Sequence, residues 1–451
     1  MRNSKIKKAL RLTSVQLIVL FYFSAALLST LLLSLPIALK PNVEWTFVDA
    51  LFTAVSAISV TGLAVVSTPD TFSVTGIFIL MFVLQFGGIG IMTLGTFIWM
   101  LVGKRIGFKE RRLIMTDQNQ VSFSGLVRLM KQILVMILTI EGIGAVILGT
   151  YFIKYFPTWQ EAFLQGLFAS VSATTNAGFD ITGSSLVPFA NDYFVQFINM
   201  ILLILGAIGF PVLIELREFI THKGTYPYHF SLYTKLTTTT FFALVVIGTI
   251  FIYLFEFHHF FSNKTWHEAL FYSLFQSISS RNGGLATMDV SEFSDPTLLL
   301  LSALMFIGAS PSSVGGGIRT TTFAIAILSI FFYAKGKNTI KIFRREVEDQ
   351  DIHKSFIVLT TAILICGTAT TIMSYLEPSF SLLEIIFEVC SAFGTTGLSM
   401  GITVDLSTGG KIVIIALMFI GRIGIFSFLF LIRGNVGEEK FHYPKEKVII
   451  G

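Results

Sequence analysis

The sequence predicts an all-α integral membrane protein made of four tandem repeats, each a helix, a pore helix with a re-entrant loop, and a second helix. The eight transmembrane helices are expected in a pseudo-fourfold arrangement around one central pore. Three observations carry this. The 451 residues are 53% hydrophobic and 13% charged, with mean hydropathy +0.76, too apolar for a soluble globule to keep out of water. A short stretch ending in glycine is written four times: Ser59-Val60-Thr61-Gly62-Leu63, Thr174-Thr175-Asn176-Ala177-Gly178-Phe179, Ser280-Arg281-Asn282-Gly283-Gly284-Leu285 and Gly394-Thr395-Thr396-Gly397-Leu398. Its glycines are 116, 106 and 113 residues apart, a period near a quarter of the chain. Third, a second glycine-rich signature follows each copy by 25, 28, 24 and 24 residues: Gly87-Gly88-Ile89-Gly90, Gly206-Ala207-Ile208-Gly209, Gly308-Ala309-Ser310-Pro311 and Gly421-Arg422-Ile423-Gly424.

The elements follow in order. Residues 1–14 form a basic tail expected in the cytoplasm, with Arg2, Lys5, Lys7, Lys8 and Arg11 before the apolar run Val15 to Leu39. That run exceeds a signal-peptide core and is long enough to span. Repeat one covers 15–102: Val15 to Leu39, then Phe47 to Ile58, then Val74 to Val102. Repeat two covers 103–221, with Leu126 to Phe156, Trp159 to Ala173 and Tyr193 to Phe219. Repeat three covers 222–333, with Ser231 to Phe261, Trp266 to Ser279 and Thr297 to Tyr333. Repeat four covers 334–432, with Phe356 to Tyr375, Ser381 to Phe393 and Lys411 to Ile432. A tail, 433–451, is expected in the cytoplasm.

The middle segments decide the architecture. A helix of about a dozen residues rises about 18 Å, while the hydrocarbon core needs about 30 Å. Such a segment must enter and return, and non-helical backbone at membrane depth is tolerated only inside protein or along a wet cavity. The glycine stretches are therefore expected to line a pore. Phe52, Phe168 and Phe387 stand ten residues before their glycine and Phe275 nine, while Ser56-Ala57, Ser172-Ala173 and Ser391-Ala392 share one position. The third repeat is the irregular one.

Basic loops set orientation. Lys104, Arg105, Lys109, Arg111 and Arg112, then Arg217 and Lys223, then Lys335, Lys337, Lys341, Arg344 and Arg345 fall on the side of both termini, which reads as cytoplasmic. The net charge of +5 thus reports topology, not a nucleic-acid partner. Cys366 and Cys390 lie in apolar segments and imply no disulfide framework.

A bare alkali cation needs oxygen ligands to replace its water, and rings of backbone carbonyls supply them without a fixed charge that would trap it. The candidate cation-binding residues are Val60, Thr61 and Gly62; Asn176, Ala177 and Gly178; Asn282, Gly283 and Gly284; and Thr395, Thr396 and Gly397. Glycine allows consecutive carbonyls to face inward and leaves the channel free of side chains. Each pore helix aims its negative C-terminal end at the ion path.

On these four single-glycine filters and eight spans, the chain resembles the Trk/Ktr/HKT superfamily of cation transporters. It most resembles the membrane subunit of a bacterial Ktr potassium-uptake system. The resemblance covers essentially the whole chain. In that family glycine at all four filter positions goes with potassium selectivity, and Gly62, Gly178, Gly284 and Gly397 match; Asn282-Gly283-Gly284-Leu285 departs from a more usual Thr-Ala-Gly-Phe. The resemblance implies channel-like K+ uptake across the plasma membrane by a homodimer, with Na+ a candidate activator. It also implies a cytosolic RCK-type, KtrA/KtrC-like ring that holds ATP or ADP. No covalent cofactor and no enzymatic activity are expected. The alternative is a sodium-coupled or sodium-permeable alternating-access transporter; four parallel repeats favour a central pore over two rocking halves.

Thr297 to Tyr333 is too long for one span and is broken by Gly308, Ala309, Ser310, Pro311, Ser312, Ser313, Val314, Gly315, Gly316 and Gly317. Proline and three consecutive glycines cannot continue a helix without large cost. The resemblance makes this an intramembrane gating loop. Arg422, near the bilayer centre, carries a charge that costs at least about 2.5 to 3.5 kcal/mol there and needs a buried partner. It is expected to bond to loop carbonyls and help close the gate. Glu141 and Glu388 could attract cations, but the favoured reading is of buried structural carboxylates satisfied by hydrogen bonds or by Arg281. His258-His259 lacks a third metal ligand.

Overall fold

The computed structural model describes residues 13–91, 93–95, 97, 125–222, 227–433, 443, 444, 446 and 449. The first twelve residues, the basic loop from Lys104 to Arg112, Lys223 and nearly all of the tail beyond Arg433 lie outside the described residues. Among the described residues, four helices are long and apolar enough to cross a membrane: α1 (Ser14–Leu33), α4 (Leu126–Phe152), α8 (Leu232–Glu256) and α12 (Asp349–Leu376). Each opens one repeat. α1 stops at Leu33, short of the expected Leu39, because the Ser34-Leu35-Pro36 segment turns the chain. α12 starts at Asp349, two turns before the expected Phe356, since Asp349 and Asp351 sit favourably at the positive end of a helix.

The pore helices are α2 (Phe47–Ser59), α5 (Trp159–Thr174), α9 (Trp266–Ser279) and α13 (Leu382–Gly394). At 13 to 16 residues they rise about 20 to 24 Å, too little to cross. All four begin alike. Thr46, Thr158, Thr265 and Ser381 are the N-caps, and an acidic residue stands three positions on, at Asp49, Glu161, Glu268 and Glu384. In the last two the acid returns a bond to the cap amide, closing a capping box. Phe52, Phe168, Phe275 and Phe387 are each fully buried and wedge the pore helices into the bundle.

The second helix of every repeat is broken. Continuous helices were expected in repeats one, two and four, and the structure corrects this. α3 (Val74–Ile89) ends at Gly90; α6 (Tyr193–Ala207) and α7 (Phe210–Thr221) meet at 104°; α14 (Thr408–Ile423) and α15 (Ile425–Arg433) meet at 103°. The last glycine of each signature is the cause: Gly90, Gly209 and Gly424 have φ of +94°, +102° and +87°, closed to other residues. In repeat three the break between α10 (Asp295–Ile307) and α11 (Thr320–Ala334) grows into a twelve-residue loop. A hairpin of β1 (Lys341–Ile342) and β2 (Arg345–Glu346) follows it, a small exception to the all-helical expectation.

Candidate filter and gate

The backbone of the four stretches follows one pattern. Val60, Asn176, Asn282 and Thr395 have φ of +58°, +51°, +82° and +52°; the next residue returns to negative φ; then Gly62, Gly178, Gly284 and Gly397 have φ of +92°, +69°, +68° and +93°. Alternating handedness turns successive carbonyls of an extended segment toward the same side, which an ordinary strand, with its alternating carbonyls, cannot do. A left-handed β-branched residue such as Val60 or Thr395 costs about 1 to 3 kcal/mol and persists only where surroundings over-determine it.

The glycines close into a ring. A Cβ placed on Gly62 would lie 2.8 Å from the Gly178 Cα and 2.5 Å from the Ala177 carbonyl oxygen. One on Gly178 would lie 3.1 Å from the Gly284 Cα; one on Gly284, 3.4 Å from the Gly397 Cα; and one on Gly397, 3.0 Å from the Gly62 Cα. Each strand therefore meets the next, and the fourth meets the first. No side chain fits at any of the four.

Serines lock the strands. Ser56 Oγ donates to the Leu63 carbonyl (2.7 Å) and accepts from the Gly62 amide (3.1 Å). Ser172 Oγ donates to Phe179 O (2.5 Å), and Ser391 Oγ accepts from the Gly397 amide (3.1 Å). In repeat three Ser279 bonds to Leu285 O. It stands one residue nearer its glycine, which accounts for the irregular spacing of that copy. Gly87 and Gly421 lie flush on the pore-helix ends: a Cβ on Gly87 would stand 2.6 Å from Ile58 O, and one on Gly421 3.3 Å from Thr395 Cγ2.

Beneath the ring lies the loop from Gly308 to Arg319, holding every residue expected there, from Gly308 through Gly317. It is tied to neighbouring repeats. Its Ser310 and Val314 amides donate to Ala207 O (3.1 Å) and Gly206 O (3.3 Å), and its Gly317 amide to Gly421 O (3.3 Å). Tyr233 OH donates to Pro311 O (2.6 Å). Arg422 is buried and reaches the Val314 carbonyl in the loop and the Gly87 carbonyl of repeat one. A cavity of about 110 Å3 opens against the loop, lined among others by Gly90, Phe210, Ser312, Arg319 and Arg422.

Against the TrkH family, described as cation transport protein, the chain matches over residues 5–441. This chain belongs to the TrkH family. It is 61% identical over 440 residues to the Ktr system potassium uptake protein D of Bacillus subtilis, covering 98% of each chain. To the Ktr system potassium uptake protein B of the same organism it is 35% identical, covering all of both. To the potassium/sodium uptake protein NtpJ of Enterococcus hirae it is 33% identical over 98% of each. The crystal structure of the potassium transporter TrkH from Vibrio parahaemolyticus superimposes with TM-score 0.74 at 20% identity, covering 94% of this chain and 85% of that one, a likeness of fold.

Two readings of this TrkH-family sequence change at the site. Arg281 does not pair with Glu388: its guanidinium donates to Leu304 O (3.3 Å) and lies 5.7 Å from the Phe241 ring centre, while Glu388 accepts from Thr403. Arg319 was missed. It is the loop's last residue, lines the cavity, and donates to the Gly315 carbonyl, so it braces the loop from within. Its signal was present, a cation within the apolar stretch 297–333 two residues after three consecutive glycines.

Proposed function

We propose that this chain takes up potassium across the plasma membrane by a channel-like path through the ring of Gly62, Gly178, Gly284 and Gly397. The observation that carries the reading is the closed ring, whose four strands share one alternating backbone and exclude every side chain. Carbonyls of the candidate residues, other than that of Thr395, which accepts from the Asn282 amide, replace the hydration shell of K+, with no fixed charge to trap it. The pore-helix ends add negative potential. The names of the relatives, potassium uptake proteins of Ktr systems, support K+ as the ion.

The loop from Gly308 to Gly317 is the gate. Seated beneath the ring, it fills the inner exit; Arg422 holds it there and Arg319 braces it from within, and both place positive charge in a cation's path. The word system in the relatives' names supports a separate regulatory component, and this chain is read as a homodimer docked on an RCK-type ring that binds ATP or ADP. Both termini face the cytoplasm under the positive-inside rule. A sodium role, as activator or permeant ion, is favoured by the potassium/sodium relative and by the departure at Asn282-Gly283.

Expression in a bacterium lacking potassium uptake tests the reading. Growth at low potassium is the expected result, together with rubidium flux into liposomes that hold only this chain. Folded protein giving neither rescue nor flux overturns it. Nucleotide-insensitive behaviour of the complex in pull-down overturns the regulatory part alone.

A further inference from the structure

The gate loop touches the filter through two side chains, both from residues that stand two before a filter glycine. Those four residues behave differently. Val60 stays within its own repeat, its Cγ2 2.5 Å from where a Gly87 Cβ would stand. The Asn176 amide, oriented by its hydrogen bonds, donates to Ala173 O (2.8 Å) and Leu203 O (3.2 Å), both of repeat two. Asn282 instead crosses a boundary. Its Nδ2 lies 2.5 Å from Gly394 O, 2.8 Å from Thr395 O and 2.9 Å from Thr395 Oγ1, all in repeat four. Thr395 Oγ1 also accepts from the Gly316 amide of the loop (2.8 Å).

The junction leaves no slack. Asn282 and Thr395 are completely buried. A Cβ on Gly315 would lie 2.5 Å from Asn282 Cγ, and one on Gly316 2.6 Å from Thr395 Oγ1. Thr395 is β-branched and left-handed, at φ +52° and ψ +49°, a conformation that persists only while its neighbours hold it. Asn282 holds its carbonyl and hydroxyl from one side, and the loop holds its hydroxyl from the other. When the loop leaves, the Gly316 donor leaves with it. The strained residue then relaxes, and the next peptide turns the Thr396 carbonyl that faces the ring.

We propose that Asn282 and Thr395 are positioning residues that form a latch between gate and filter. Through it, the seat of the loop sets the geometry of the fourth filter strand, so that K+ is discriminated from Na+ more sharply with the loop seated than displaced. This rests on reading the ring as a K+ filter and the loop as its gate.

The test measures binding of K+ and of Na+ to the purified full-length chain by titration calorimetry. Thr395→Val keeps the shape and removes the hydroxyl, and is expected to lower the K+/Na+ affinity ratio about tenfold; Thr395→Ser keeps the hydroxyl and restores the ratio. Arg422→Ala loosens the loop and lowers the ratio by itself. In that background Thr395→Val is expected to add nothing, because the bond it removes is already broken. An equal drop in both backgrounds marks a merely structural hydroxyl and overturns the latch, as does an unchanged ratio in Thr395→Val. Asn282→Ala, which removes the donors from the other side, is expected to reproduce the loss and serves where Thr395→Val does not fold. Wild-type protein that binds neither ion overturns the filter reading beneath, which a changed ratio leaves standing.

Discussion

The ring of filter glycines and the ring of second-helix breaks below it are both written four times, yet they have been treated differently. The upper ring is nearly uniform: all four strands share the alternating backbone and a serine lock, and each meets its neighbour. The lower ring is uniform in three copies, each a glycine bend, while the third copy carries twelve residues that reach across to repeats two and four through bonds at Gly206, Ala207, Gly421 and Arg422. One ion held on an axis needs equal oxygens from every side, so a layer that coordinates it, as proposed for the upper ring, cannot tolerate an odd member. A plug needs only one copy to close the path.

The uniform layer is where substitution does most harm. Gly62→Ala puts a Cβ 2.5 Å from the Ala177 carbonyl on a backbone at φ +92°, so rubidium flux into liposomes is expected to fall at least about a hundredfold, from strain and ring distortion together. Gly178→Ala is expected to behave likewise. If either kept wild-type flux and selectivity, the ring would not be where ions are coordinated. The odd layer is expected to respond in the opposite direction. Arg422→Ala removes the charged hydrogen bond to the loop at Val314 O, worth about 1.5 to 3 kcal/mol, and with it the link from the loop to Gly87 O of repeat one, and resting flux is expected to rise about tenfold. Arg319→Ala, which removes a brace within the loop at Gly315 O, is expected to raise it less. Unchanged flux in both would leave the loop a passive kink.

The same contrast explains what could be read in advance. The uniform layer was legible because a repeated requirement leaves a repeated trace: four glycines, four aromatic wedges, pore-helix limits correct within a residue or two. A further fourfold trace, Thr or Ser followed three residues later by an acid at Thr46, Thr158, Thr265 and Ser381, marks every pore-helix start. The breaks at Gly90, Gly209 and Gly424 were not legible as bends. A glycine in an apolar run is compatible with a continuous helix, and only the crowding of Gly87 and Gly421 against the pore-helix ends shows the backbone must stop and turn. Arg281 misled for a related reason: a buried cation suggests a carboxylate, whereas a carbonyl and an aromatic face receive it here.

Serine locks test how much asymmetry the upper layer bears. Ser56→Ala removes an acceptor from the Gly62 amide and a donor to Leu63 O, and a modest fall in K+/Na+ ratio, about threefold to tenfold, is expected. Ser279→Ala is expected to cost no more, since Gly283 and Gly284 also bond to the Ser279 carbonyl, which the substitution keeps.

The smallest effect is expected at the wet rim, where polar groups are not held against a dry core. Asp192, in the connection before α6, accepts from Tyr151 (2.9 Å), Lys154 (3.1 Å) and Tyr155, and Lys154 also sits 3.5 Å above the Tyr151 ring. Burial opposes ionisation of Asp192, but the bonds from Tyr155 and Lys154 outweigh it and hold the carboxyl below its ordinary value. A depressed folded value means the stabilisation is present above the ordinary aspartate value of about 3.9 and is lost as pH falls through the lower folded one. Half of the pair is solvated, since Lys154 is 46% exposed, so Asp192→Asn is expected to lower the melting temperature by no more than about 2 °C at pH 7. That difference should shrink below about pH 4, as the wild-type carboxyl takes up its proton. A gap that persisted there would mean that the variant had disturbed the N-cap of α6, which the same side chain makes through the Phe194 and Val195 amides, and that the ion pair contributes nothing of its own.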